Sequence, residues 1–146
     1  MLRTEPGGAA KALGWGVIAT SKDRSIGERL QELETDLHAL LEKFRPDAAS
    51  VERLFYFRNA TTIIPVAQAR GVILLTLSKH GVPMAEYTPM QVKQALTGYG
   101  KADKGEIQQA VMDRLALSSK PKPDDAADGL ALAVTHWQSG GVAVPV

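Results

Sequence analysis

Cysteine is absent from this chain of 146 residues. Disulfides and thiolate metal sites are therefore excluded, and the composition fits a reducing cytoplasm. Long apolar runs are absent too. The longest is Gly71-Val72-Ile73-Leu74-Leu75, with Thr76 and Leu77 behind it, far short of the roughly 20 residues of a membrane-spanning helix. Met1-Leu2-Arg3-Thr4-Glu5-Pro6-Gly7-Gly8 has no apolar core of a signal peptide. There are no repeats, linkers or low-complexity blocks, apart from an expected flexible tail at 138–146. Net charge is almost absent as well: +1 at pH 7, so bulk charge does not mark a nucleic-acid binder.

The distribution of charge says more. Residues 53–122 carry ten bases and four acids; residues 21–52 carry five bases and eight acids; residues 123–146 carry only Asp124, Asp125 and Asp128. A basic middle beside clustered acids suits a nuclease, because bases hold phosphates and acids hold cations, although an uneven solvated surface reads the same way. Length predicts one domain over 1–146, large enough for its own core.

Hydrophobic pattern and caps predict an α/β chain. Leu13, Trp15 and Val17 alternate with Gly14, Gly16 and Ile18, which reads as a strand. Ser25-Ile26-Gly27-Glu28 is a capping box opening a helix that Pro46 closes. Ala48–Val51 reads as a short buried strand ending at Glu52. A helix follows over Ile64–His80, stopping at Gly81, then a strand over Val82–Tyr87. Thr88 with Gln91, and Asp103 with Glu106, open two short helices. The last helix spans Asp124–His136. Strands alternating with helices argue for at least one parallel pair, Ala48–Glu52 with Val82–Tyr87.

Several residues could carry chemistry. Glu52 sits at a strand end, where α/β folds place ligands, or is simply solvated there. Asp125 and Asp128, spaced i and i+3, share one face of a helical first turn. Two such carboxylates suit Mg²⁺ or Mn²⁺, which take hard oxygen ligands; they equally suit the positive end of the helix dipole. His136 lies eleven residues beyond Asp125, about 16 Å along a helix, and so cannot share its metal. Phe55-Tyr56-Phe57 cannot all face one core, and an exposed ring flanked by Arg53 and Arg58 suits stacking on unpaired bases or covering by a partner. Lys93 and Lys104, on helices flanking Gly98-Tyr99-Gly100, could meet phosphates.

Five strings stand together in order: Val51-Glu52-Arg53-Leu54-Phe55, Gln68-Ala69-Arg70-Gly71, Pro89-Met90-Gln91-Val92-Lys93-Gln94, Gly98-Tyr99-Gly100-Lys101-Ala102-Asp103-Lys104 and Asp125-Ala126-Ala127-Asp128-Gly129-Leu130-Ala131. In that order and approximate spacing the chain resembles the RuvC resolvases, from about Leu13 to His136. The resemblance implies a ribonuclease-H-like mixed sheet flanked by helices and a homodimer. It implies a Mg²⁺-dependent endonuclease that resolves four-way DNA junctions in recombination and repair, working with the RuvA and RuvB branch-migration proteins. It implies that Glu52, Asp125 and Asp128 bind metal and that Phe55 contacts bases. Lys93, Lys104, Arg58 and Arg70 are the expected further DNA contacts.

One departure stands out. Members of this family open with an apolar strand ending in Asp-Pro-Gly, whose aspartate is a metal ligand. Here the near match, Glu5-Pro6-Gly7, follows only four residues. Leu13–Thr20 then aligns with the family's third strand, so residues 1–12 are expected to be a remnant of the N-terminal hairpin, with the first strand missing. The alternative function is a junction-binding module with impaired catalysis, or a truncated fragment lacking the first catalytic aspartate.

Overall fold

A computed structural model describes residues 1–54 and 60–141. The order of elements is β1 (Leu2–Thr4), β2 (Ala10–Ala12), α1 (Ile26–Phe44), β3 (Ala49–Glu52), α2 (Ala60–Lys79), β4 (Met84–Tyr87), α3 (Pro89–Thr97), α4 (Lys104–Leu115) and α5 (Asp124–Gln138). The residues fall into two compact units. One comprises Met1–Val17, Ser50–Arg53 and the chain from Ala85 onward; the other comprises Ile18–Ala49 and Leu54–Met84.

In the first unit, β1 and β2 form an antiparallel hairpin with Leu2 opposite Ala12, Arg3 opposite Lys11 and Thr4 opposite Ala10. Glu5-Pro6-Gly7 occupies its turn, where Gly7 and Gly8 take positive φ values that glycine alone adopts readily. The C-terminal helix α5 packs against α3, α4 and β1, and α4 packs against β2. Between them lies the core: Ala85, Tyr87, Val92, Leu96, Ala102, Ile107, Val111, Leu115, Leu130, Ala131 and Val134 are buried. The buried positions on α5 recur at Ala126, Ala127, Leu130, Ala131 and Val134, the three-and-four spacing that turns one stripe of a helix inward.

The short helices start where their caps say. Thr88 and Gln91 form a reciprocal capping box at α3, and Asp103 and Glu106 form another at α4. Gly98 ends α3 in the left-handed region, with its N–H returned to the Gln94 carbonyl.

The second unit is built on α1 against α2. The Ser25–Glu28 capping box opens α1, and Leu41 is its buried residue. On α2, Thr76 and Leu77 are buried. Helix α2 begins at Ala60, earlier than the expected Ile64, and carries Pro65 inside it. Packing of the apolar helix outweighs the one backbone hydrogen bond that proline removes.

Strands β3 and β4 pair with each other. Ala49 N–H donates to Pro83 O at 2.8 Å, and Arg53 N–H to Tyr87 O at 2.9 Å. The equal advance along both strands makes the pair parallel, as expected for strands joined by a helical crossover. The described strands thus supply one antiparallel pair, β1–β2, and one parallel pair, β3–β4, among five helices, the α/β mixture that the pattern predicts. One expectation is corrected. Leu13–Ile18 is not a strand: after Leu13 N–H donates to Met1 O and the N-terminal ammonium to Gly14 O, no ladder continues among the described residues. Alternation alone does not make a strand without a neighbour to bond. Leu13, Trp15 and Val17 accordingly stay exposed.

Candidate active site

Glu52 is the last residue of β3, and Asp124, Asp125 and Asp128 lie on the first turns of α5. A cleft of about 260 Å³ within the first unit is lined by Glu52, Lys93, Lys104 and Asp128, over a floor of Pro89, Val92, Ile107, Ala131 and Leu132. Four side chains singled out from sequence thus come from four elements to one cleft: the tip of β3, the second turn of α3, the start of α4 and the second turn of α5. The floor residues hold them there, since Val92, Ile107 and Ala131 belong to the buried core.

The electrostatics of the cleft set acids and lysines against one another. The Glu52 carboxyl is pushed above its ordinary value, first by desolvation and then by the negative charge of Asp128. Lys104 answers from the other side. Its ammonium lies 3.1 Å from Asp124 Oδ2 and is held above its ordinary value, first by that hydrogen bond and then by the charges of Asp124, Asp128 and Asp125. The same hydrogen bond and charge hold Asp124 below the usual carboxylate range. Gln108 Nε2 also donates to Asp124 Oδ1, at 3.3 Å.

Asp124 is not among the residues singled out from sequence, and it does not cap its own helix: the N-cap of α5 is Pro123, with no side-chain cap bond. Its carboxylate reaches across to α4 instead. Lys104 and Asp124 are twenty positions apart, at opposite ends of α4 and the loop that follows it, and no local pattern signals such a contact.

Asp125 is exposed and does not line the cleft. Among the described residues, Glu52, Asp125 and Asp128 do not bring their ligand oxygens together within 4.8 Å of one another. Of the three carboxylates expected to converge, the cleft takes in Glu52 and Asp128, and Asp125 lies outside its lining. Glu5 is held by Arg3 at 3.0 Å and does not line the cleft. Arg70 lies on α2 in the second unit. Phe55 and Arg58 fall outside the described residues. His136 is buried and shares a 2.9 Å hydrogen bond between its Nδ1 and the Tyr87 hydroxyl, a structural role consistent with its distance from Asp125.

Comparison with known proteins points to one family over most of the chain. The sequence model of the family described as crossover junction endodeoxyribonuclease RuvC matches residues 2–136. A crossover junction endodeoxyribonuclease RuvC of Synechococcus sp. (strain WH7803) is 50% identical over 125 residues, covering 86% of this chain and 80% of that one. Its counterpart in Syntrophomonas wolfei is 48% identical over 139 residues, covering 95% and 80%. The structure of Thermus thermophilus RuvC in complex with a Holliday junction substrate superposes with a TM-score of 0.92 at 35% identity, covering 99% of this chain and 89% of that one. The chain is thus similar throughout to proteins of one ribonuclease-H-like fold, and it belongs to the RuvC family of crossover junction endodeoxyribonucleases.

Proposed function

We propose that this chain is an endonuclease that resolves four-way DNA junctions, with Glu52, Asp125 and Asp128 as the residues that hold its divalent cations. One observation carries the reading: in a member of this family, Glu52, Asp128, Lys93 and Lys104 line one cleft. The donors fit Mg²⁺, and Mn²⁺ next, because they are hard carboxylate oxygens; Glu52 is already raised, first by desolvation and then by the charge of Asp128. When bound, such ions supply an activated water and charge neutralisation at the scissile phosphate.

The chain's own residues do the rest. Lys93 and Lys104 place positive charge at the cleft wall, where a phosphodiester entering beside two carboxylates needs it. The Asp124 and Gln108 contacts fix α4 against α5, so that Lys104 and Asp128 keep their spacing. Arg58 and Arg70 serve as further phosphate contacts, and Phe55 as the ring that stacks on bases at the branch point.

On this reading the 146 residues act as one nuclease domain, in a homodimer whose two sites nick two like strands, alongside the RuvA and RuvB proteins in the cytoplasm. No described helix is long and apolar enough to cross a membrane. A second reading, junction binding with impaired cutting, is favoured by the position of Asp125 outside the cleft lining.

One assay separates the two. The chain is incubated with a four-way junction or a matched duplex, with and without Mg²⁺. Symmetric nicking of the junction that disappears in Glu52→Gln supports the endonuclease. Selective retention of the junction without nicking supports the second reading. Equal retention of junction and duplex overturns both.

A further inference from the structure

The second unit holds a cluster that the nuclease reading does not use. His38, Glu42 and His80 each offer a ligand atom, and these atoms all lie within 4.8 Å of one another; no other trio among the described residues meets that spacing. His38 and Glu42 stand at i and i+4 on α1, one above the other on the same face. His80 follows Lys79, the last residue of α2. Two of the chain's three histidines therefore meet at this spot.

The hydrogen bonding settles which atoms face inward. His80 Nδ1 lies 2.8 Å from the backbone carbonyl of Thr76. A carbonyl only accepts, so Nδ1 carries the proton, and Nε2 of the neutral ring presents a bare lone pair. That Nε2 sits 3.6 Å from Glu42 Oε1, so two acceptors face one another. The His38 ring lies against it, with ring centroids 4.8 Å apart. Opposed lone pairs need either a proton or a cation between them. Metal-bound histidines commonly carry this second feature, in which the remote ring N–H is donated to a backbone carbonyl and orients the ring. Bond lengths of about 2.0–2.2 Å at a tetrahedral centre put neighbouring ligand atoms roughly 3.3 Å apart, against 3.6 Å between His80 and Glu42 and a trio that lies within 4.8 Å.

We propose that His38, Glu42 and His80 form a binding site for a borderline divalent cation, Zn²⁺ before others, separate in place and chemistry from the carboxylate cleft. Two imidazoles and one carboxylate suit Zn²⁺, whereas Mg²⁺ prefers oxygen donors and keeps its water. Three protein ligands leave a fourth position open to water. Bound there, the ion ties α1 to the end of α2. The inference does not depend on the nuclease assignment.

The test uses the whole chain, freed of metal by chelator and titrated with ZnCl₂. Saturable binding of one Zn²⁺ is expected, with a rise in Tm that equal MgCl₂ does not produce. Affinity should fall at least about tenfold in His38→Ala and in His80→Ala, and stay unchanged in the Glu52→Gln/Asp128→Asn double variant. In the unaltered, ¹⁵N-labelled chain, Zn²⁺ should shift the ring signals of His38 and His80 and leave those of His136 in place, a readout that needs no variant to fold. Absence of saturable binding overturns the proposal. So does Zn²⁺ binding that survives loss of both histidines, or that moves the His136 signals instead.

Discussion

The ammonium of Lys104, the first residue of α4, lies 3.1 Å from a carboxylate oxygen of Asp124, the first residue of α5. The pair is exposed, so its effect on stability is small. Its consequence is positional: it keeps a cation at the wall of the cleft that Glu52 and Asp128 share.

That position makes the two partners separable by experiment. Lys104→Ala is expected to weaken junction binding and to lower the slope of log affinity against log salt by about one unit, as for one lost phosphate contact. Asp124→Asn keeps the lysine charge but loosens the contact that positions it, so junction affinity should fall less than in Lys104→Ala and the salt slope should stay that of the parent. Salt-dependent gel-shift titrations of the two variants measure both. An identical loss in the two would show that the ion pair, not the lysine, serves DNA.

Glu52→Gln and Asp128→Asn should each reduce junction cutting by about 10²-fold or more, since misplacing reacting groups costs rate heavily. Both should still bind the junction. Single-turnover cleavage beside a binding titration checks this, and a variant that binds poorly but cuts normally when saturated would contradict it.

Glu52 also predicts a trade of stability against function. Its folded-state pKa is raised by desolvation and by Asp128. Between its ordinary and its raised value the folded chain therefore holds the proton more tightly than the unfolded chain. Stability falls as pH rises through that window, and the deficit is complete above it. Glu52→Gln should raise Tm at neutral pH in metal-free buffer. The gain should fade as pH drops through that window and be gone below the ordinary carboxylate range. Melting curves with EDTA from about pH 3, below the ordinary carboxylate range, up to neutral pH give the answer; an unchanged neutral-pH Tm would count against a raised Glu52.

His136 acts in the opposite sense. Burial lowers its pKa, and its Nε2 is buried with no hydrogen-bond partner among the described residues, so a second proton has nowhere to go. Stability is complete above the ordinary histidine value of about 6.5 and is lost as pH falls below it, where the unfolded chain takes the proton first. Tyr87→Phe should cost about 1–3 kcal/mol by stranding His136 Nδ1. Urea unfolding at pH 7.5 and 5.5 tests both statements.

Gly129 stands exposed on α5, and a Cβ added there meets nothing within 4 Å. Gly129→Ala should therefore stabilise the chain by about 0.5–1 kcal/mol through helix propensity alone. A thermal melt showing a Tm higher by a few degrees is the expected result.

Local signals alone determine where α1, α3 and α4 start. Ser25 with Glu28, Thr88 with Gln91, and Asp103 with Glu106 each satisfy orphan N–H groups within four residues, so the information is complete in one short string. The parallel pair is equally legible, because Ala49–Glu52 and Met84–Tyr87 flank a long apolar helix. Glu52, Asp128, Lys93 and Lys104 can be nominated from ordered strings of residue types, but their meeting in one cleft cannot be read from any of them.

Tertiary structure decided what depends on a distant neighbour. Leu13–Ile18 carries a strand's alternation but forms no strand, because a ladder needs a second chain segment whose backbone groups are free to bond. Asp124 turns from its own helix end to Lys104, and His80 turns its Nε2 toward Glu42, because a charge or lone pair answers to whatever lies within a few ångströms in space. Sequence determines such pairings only through the fold, which alone brings residues 104 and 124, or 42 and 80, within reach.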